Sequence, residues 1–167
     1  MKSSMIFFIS LFLFFHVPTY AIDNQPSGNQ PTMINPSELN KIEEEKFLTT
    51  NKSKPGIITL ANGLQYKEII AGSGPTPTVS DTVTVHYSGT LLNGTEFDSS
   101  YKRGEPATFP VSGVITGWTE ALKLMKTGST WELYIPAKLA YGTRGVPPII
   151  GPNQMLIFKV QLIGIKR

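Results

Sequence analysis

The sequence predicts an α+β fold, an antiparallel β-sheet half-barrel wrapped around one short amphipathic helix. Two observations predict it. From about Ile57 to the end, short β-patterned runs alternate with clusters of turn residues, the texture of an antiparallel sheet. Within that region only "GWTEALKLMKTG" has a clear helical period, with Trp118, Ala121, Leu122 and Met125 at i, i+3, i+4 and i+7. Many strands and one helix leave a sheet wrapped on that helix as the simplest way to bury both apolar faces.

Taken in chain order, the sequence falls into three regions. Residues 1–21, "MKSSMIFFISLFLFFHVPTYA", have Lys2 in a short polar start and an apolar run from Met5 to Phe15. Thr19 and Ala21 stand at the −3 and −1 positions of a cleavage site. This is the pattern of a secretory signal peptide, and the run is short for a membrane span. The mature chain is expected outside the cytoplasm, in the periplasm or secreted from a Gram-negative bacterium, with no membrane attachment after cleavage. Residues 22–56 read as a flexible tether with room for one short helix. "IDNQPSGNQPTMIN" is too polar to bury a core. From Pro36, Ser37 is a candidate cap, with Leu39, Ile42 and Phe47 on or near one face. Docking on the domain and pairing with a second copy are both open to this helix.

Residues 57–167 form the domain. "GLQYKEII" is a strand and "GSGPTPTVSD" a loop. "TVTVHYSGTLL" alternates, with Val83, Val85 and Tyr87 on one face and Thr82, Thr84 and His86 on the other. Asn93-Gly94 suits a tight turn. "EPATFPV" and "STWELYIPA" are further strands, Gly128 is placed to end the helix, and "QMLIFKVQLIGIKR" is the last and longest strand.

Composition removes most catalytic chemistry. There is no cysteine, hence no disulfide framework, thiolate nucleophile or thiolate metal site. The histidines are His16, inside the signal peptide, and His86 on a strand, so a multi-histidine metal site is excluded and no cofactor is called for. The net charge of +3, without a dense basic run, does not point to nucleic acid. No serine lies in a GxSxG setting.

What remains is apolar. Tyr87 lies on a strand, Phe97 and Asp98 follow a turn, and Val114, Ile115 and Trp118 lie where "GVITGW" enters the helix. A 15-residue loop, "AYGTRGVPPIIGPNQ", carries Tyr141, Ile149 and Ile150. A loop that long is usually functional. Together these residues suggest an apolar pocket with two phenols and one carboxylate at its edge.

The stretches "GLQYKEIIAGSGPTPTVSDTV", "VHYSGTLLNGTEFDSS", "GVITGW" and "LAYGTRGVPPIIGPNQMLIFKVQLIGI" resemble the FK506-binding family of peptidyl-prolyl cis-trans isomerases across residues 57–167. "TLANGLQYK" and "SSYKRGEPATFPV" are similar to its secreted bacterial branch, the macrophage infectivity potentiator type. The resemblance implies Trp118 as pocket floor and Tyr87, Phe97, Val114, Ile115, Tyr141 and Phe158 as walls, with Ile149 and Ile150 among the ligand-contacting residues. It implies the Ile115 N–H and the Tyr141 hydroxyl as ligand donors. Asp98 would be the rim carboxylate, held with Tyr87 by Arg103. Two positions depart from many eukaryotic members: Ala107 stands where they have a second phenylalanine, and Val146 where they often have histidine. The implied partners are proline-containing unfolded or extended polypeptides, with FK506- or rapamycin-like macrolides as inhibitors. A peptide-holding chaperone with incidental isomerase activity is the alternative. Because residues 22–56 hold one short helix at most, a monomer is expected.

Overall fold

The computed structural model describes residues 34–167. The signal-peptide reading of residues 1–21 and the first part of the tether lie outside the described residues. Among the described residues, no helix is long and apolar enough to cross a membrane.

The chain opens with helix α1 (Pro36–Asn51). Its cap is Asn35, whose side chain accepts the Glu38 N–H at 2.9 Å, with proline just inside the first turn. The cap is therefore Asn35 and not Ser37, which is already inside the first turn. Leu39 and Ile42 also depart from expectation, because both point outward and are nearly half exposed. The face turned to the domain carries Ser37, Asn40, Glu44, Phe47, Leu48 and Asn51, most of them polar. Asn51 meets Gln65 Oε1 at 3.0 Å, Gln65 in turn reaches the Leu48 carbonyl at 2.9 Å, and Phe47 packs on Tyr134. Of the two roles left open for this helix, docking on its own domain is the one observed.

Seven strands form one antiparallel sheet: β1 (Ile58–Thr59), β2 (Gln65–Ile70), β3 (Thr82–Leu91), β4 (Glu96–Ser99), β5 (Ala107–Pro110), β6 (Thr130–Ile135) and β7 (Leu156–Lys166). The order is β1-β2-β6-β7-β3-β4, with β5 also on β3. The sheet is not closed. Strand β3 alternates as its sequence demands, with Val83, Val85, Tyr87 and Leu91 inward, and pairs along its whole length with β7. Its hairpin with β4 turns at Asn93-Gly94, where Gly94 alone takes a left-handed φ of 85° and Asn93 Oδ1 accepts the Thr95 N–H.

On the inner face lies α3 (Thr116–Leu122), with Trp118, Ala121, Leu122 and the following Met125 all buried. It ends at Leu122, earlier than expected, and Gly128 falls in the later turn that leads to β6. Gly117 lets the helix come close: a Cβ there would lie 2.4 Å from Ile135 Cγ2 on β6.

Candidate functional site

The site begins with an interruption. β4 and β5 are two pieces of one partner to β3, pairing with Ser88–Thr90 and Thr82–Val85 respectively. Between them residues 100–106 bulge away and include a single helical turn, α2 (Ser100–Arg103). Ser99 caps that turn, and Gly104, at φ 78°, ends it. The interruption leaves Tyr87 without a backbone partner on that edge. The buried Ser100 supplies one: its Oγ accepts the Tyr87 N–H at 2.7 Å and lies 3.2 Å from the Tyr87 carbonyl and 2.9 Å from His86 Nδ1. Arg103, last residue of the turn, is thereby aimed back at β3 and β4.

There it closes a triangle. The Tyr87 hydroxyl donates to Asp98 Oδ2, Arg103 Nη1 donates to Asp98 Oδ1, and Arg103 Nη2 donates to the Tyr87 oxygen at 2.8 Å. Partial burial by itself raises the Asp98 pKa, but the hydrogen bonds from Tyr87 and Arg103 outweigh it and hold the group below its ordinary value of 3.8. Burial and the neighbouring Asp98 push the Tyr87 phenol above 10, against the pull of Arg103. Near neutral pH Asp98 is a carboxylate and Tyr87 a neutral phenol, so neither is poised for proton transfer.

Behind the triangle is a cavity of about 440 Å³ lined by Tyr87, Phe97, Asp98, Phe109, Gly113, Val114, Ile115, Trp118, Tyr141 and Phe158. Trp118 rises from the first turn of α3 and is 4% exposed. Tyr87, Phe109 and Phe158 stand edge-on around it, with ring centroids 5.2, 6.0 and 5.3 Å away. Phe97 and Phe158 meet at 5.5 Å in a T. The indole N–H has neither an acceptor nor water access. Two donors at the rim are free among the described residues. The Ile115 N–H makes no hydrogen bond in the turn before α3, and the Tyr141 hydroxyl, on an exposed loop residue, meets no acceptor.

Eight residues singled out from the sequence thus share one cavity: Tyr87, Phe97, Asp98, Val114, Ile115, Trp118, Tyr141 and Phe158. Three others stand apart from its lining. Arg103 acts on the rim through Asp98 and Tyr87. Ile150 turns into the core at 5% exposure, while Ile149 points to solvent at 55%. Phe109 and Gly113 were missed. The signal for Phe109 was present, because it lies two residues from Ala107 and therefore on the same face of β5.

Comparison with known proteins gives the family. Residues 74–163 match the family model described as FKBP-type peptidyl-prolyl cis-trans isomerase. The chain belongs to that family. Residues 27–67 match a second model, the domain amino-terminal to such isomerases. Over 128 residues the chain is 61% identical to peptidyl-prolyl cis-trans isomerase Mip of Coxiella burnetii, covering 77% of this chain and 56% of that protein. It is 52% identical over 123 residues to the FKBP-type 22 kDa isomerase of Escherichia coli, covering 74% and 60%. The chain therefore spans little more than half the length of these FKBP relatives. Among solved structures, FkpA from Escherichia coli superposes with a TM-score of 0.75 at 45% identity, covering 78% of this chain and 61% of that one. A peptidyl-prolyl cis-trans isomerase from Pseudomonas syringae gives 0.75 at 38%, covering 80% and 98%.

Proposed function

We propose that this FKBP-family chain catalyses rotation about X-Pro peptide bonds in unfolded or extended polypeptides and so assists the folding of exported proteins. The observation that carries the reading is the aromatic cavity over Trp118 with two free donors, Ile115 N–H and Tyr141 O–H, at its rim. Prolyl isomerisation needs that and no proton shuttle. The barrier of about 18–20 kcal/mol exists because amide resonance keeps the C–N bond planar. Resonance puts negative charge on the carbonyl oxygen, and water supports it. Moving the bond among Trp118, Phe97, Phe158 and Tyr87 withdraws that support from the planar form, whereas the twisted form has lost most of the dipole. The two rim donors hold the chain in the twisted pose, an orientation effect. Asp98 and Arg103 keep Tyr87 in place as a wall. FK506- or rapamycin-like macrolides compete for the same cavity.

The functional domain in this reading is residues 57–167, preceded by a signal peptide over 1–21 and a lead-in over 22–56. The signal-like start supports export to the periplasm or cell surface of a Gram-negative bacterium, and the Legionella longbeachae relative is named an outer membrane protein. The use of the inner face of α1 on its own domain supports a monomer.

The test sets two assays side by side on residues 22–167: isomerisation of a Leu-Pro peptide and suppression of aggregation of a proline-free client. Trp118→Ala and Tyr141→Phe are expected to lose most of the first activity. If they lose none of it, the cavity is not the catalytic site. A wild type that isomerises nothing but holds the client would instead make the chain a chaperone module.

A further inference from the structure

Helix α1 does not dock as a packing helix would. From Pro36 to Glu44, where a packing helix presents apolar side chains, its inner face presents Ser37, Asn40 and Glu44. All three reach the two ends of the long loop that carries Tyr141. Glu44 Oε2 accepts the Ala137 N–H at 2.7 Å, on the stem before the loop. Asn40 Nδ2 donates to the Pro152 carbonyl at 2.8 Å, and Asn153 Nδ2 donates to Ser37 Oγ at 2.6 Å, on the stem after it. The loop then ties its own stems together. The Gly142 N–H bonds the Ala137 carbonyl, and the Asn153 N–H bonds the Gly142 carbonyl, each at 2.8 Å. The result is a closed ring running from Ser37 through Asn153, Gly142 and Ala137 to Glu44, with Tyr141 next in sequence to one of its members.

Asn153 is the ring's costliest member. It is 7% exposed and has a left-handed φ of 55°, the only non-glycine residue among those described to do so. Glycine would take that conformation more easily, but it could not reach Ser37. Partly buried Glu44 also resists charging, chiefly through desolvation, yet its acceptor is spent on the loop stem. Polar side chains kept at such a cost are better explained by what they position than by the stability they add.

We infer that Ser37, Asn40 and Glu44 are positioning residues: α1 clamps both stems of the 140–154 loop and so fixes Tyr141 at the pocket rim. The inference rests on the isomerase reading of the pocket for its kinetic consequence, though not for its structural one. Losing the clamp frees the loop without touching the cavity floor, so Tyr141 is less often placed to hold the twisted pose and kcat/KM falls.

The experiment uses protein spanning residues 22–167 and the combined variant Ser37→Ala, Asn40→Ala, Glu44→Ala. Amide exchange at Gly142 and Asn153 is expected to quicken by about fivefold or more, the worth of one net hydrogen bond, with the amides of β3 and β7 unchanged. The kcat/KM for the test peptide is expected to fall by about the same factor. Glu44→Gln, which keeps an acceptor for the Ala137 N–H, should behave like wild type where Glu44→Ala does not. Unchanged exchange at Gly142 and Asn153 would overturn the clamp, as would uniform quickening across β3 and β7, the sign of plain destabilisation. If the wild type showed no isomerisation, the functional reading would fall while the exchange data still decided the clamp.

Discussion

Gly89 gives the sharpest perturbation of the pocket wall, because it is a glycine for reasons of space. It lies on β3 between its partners Asp98 on β4 and Phe158 on β7, and its φ is not left-handed. A Cβ added there would stand 2.6 Å from Phe158 Cε1 and 2.7 Å from Phe97 Cζ. Carbon atoms pack at about 3.5–4.0 Å, so both rings must retreat by about 1 Å. Overpacking of this kind costs roughly 1–3 kcal/mol, and replacing a strand glycine returns roughly 0.5–1 kcal/mol. Phe97 is half-buried and borders empty space, so it yields cheaply; Phe158 is held between Trp118 and Phe97 and resists. The net loss in Gly89→Ala is therefore about 1 kcal/mol, or about 4 °C in Tm. Activity should suffer more. Both rings are walls of the cavity, and a displacement near 1 Å at a positioning surface costs about 10- to 100-fold in rate. Thermal melting and kcat/KM on a Leu-Pro peptide, measured on the same preparation, check both figures. A variant within twofold of wild-type kcat/KM would refute the claim that these rings shape the catalytic cavity.

Two other expectations follow from the rim. The Asp98 pKa is lowered on folding, so its ion-paired form is present at every pH above the ordinary carboxylate range and is lost only as pH falls through the depressed value, below 3.8. The pH profile of kcat/KM should accordingly be flat between about 5 and 9, and an acidic limb with a midpoint above 3.8 would mean that a carboxylate takes part in proton transfer. Ser100→Ala should destabilise the domain by about 1–3 kcal/mol, since it strands the buried Tyr87 N–H; denaturant unfolding measures this, and a loss under about 0.5 kcal/mol would show that the interrupted ladder has another partner.

Much of this architecture was legible in the sequence because it obeys short periods. The alternation of Val83, Val85 and Tyr87 and the helical spacing of Trp118, Ala121, Leu122 and Met125 each place a residue from its neighbours alone. The pocket residues were legible through motif resemblance, and eight of them do meet in one cavity. What was hidden has physical causes. The inner face of α1 is polar, so a rule that looks for apolar spacing chose Leu39 and Ile42, which lie outside. The bonds that replace apolar docking join residues 93 to 116 positions apart, beyond the reach of any local pattern. Ile149 and Ile150 are adjacent and equally apolar, yet one faces water and the other the core, a difference set by the loop's own fold.

The most direct test of the central claim is the cis-to-trans rate of a Leu-Pro test peptide in the presence of catalytic amounts of residues 22–167, with and without FK506. The account predicts a large acceleration over the uncatalysed reaction, abolished when the macrolide occupies the cavity above Trp118. An acceleration that FK506 leaves untouched, or no acceleration at all, would contradict it.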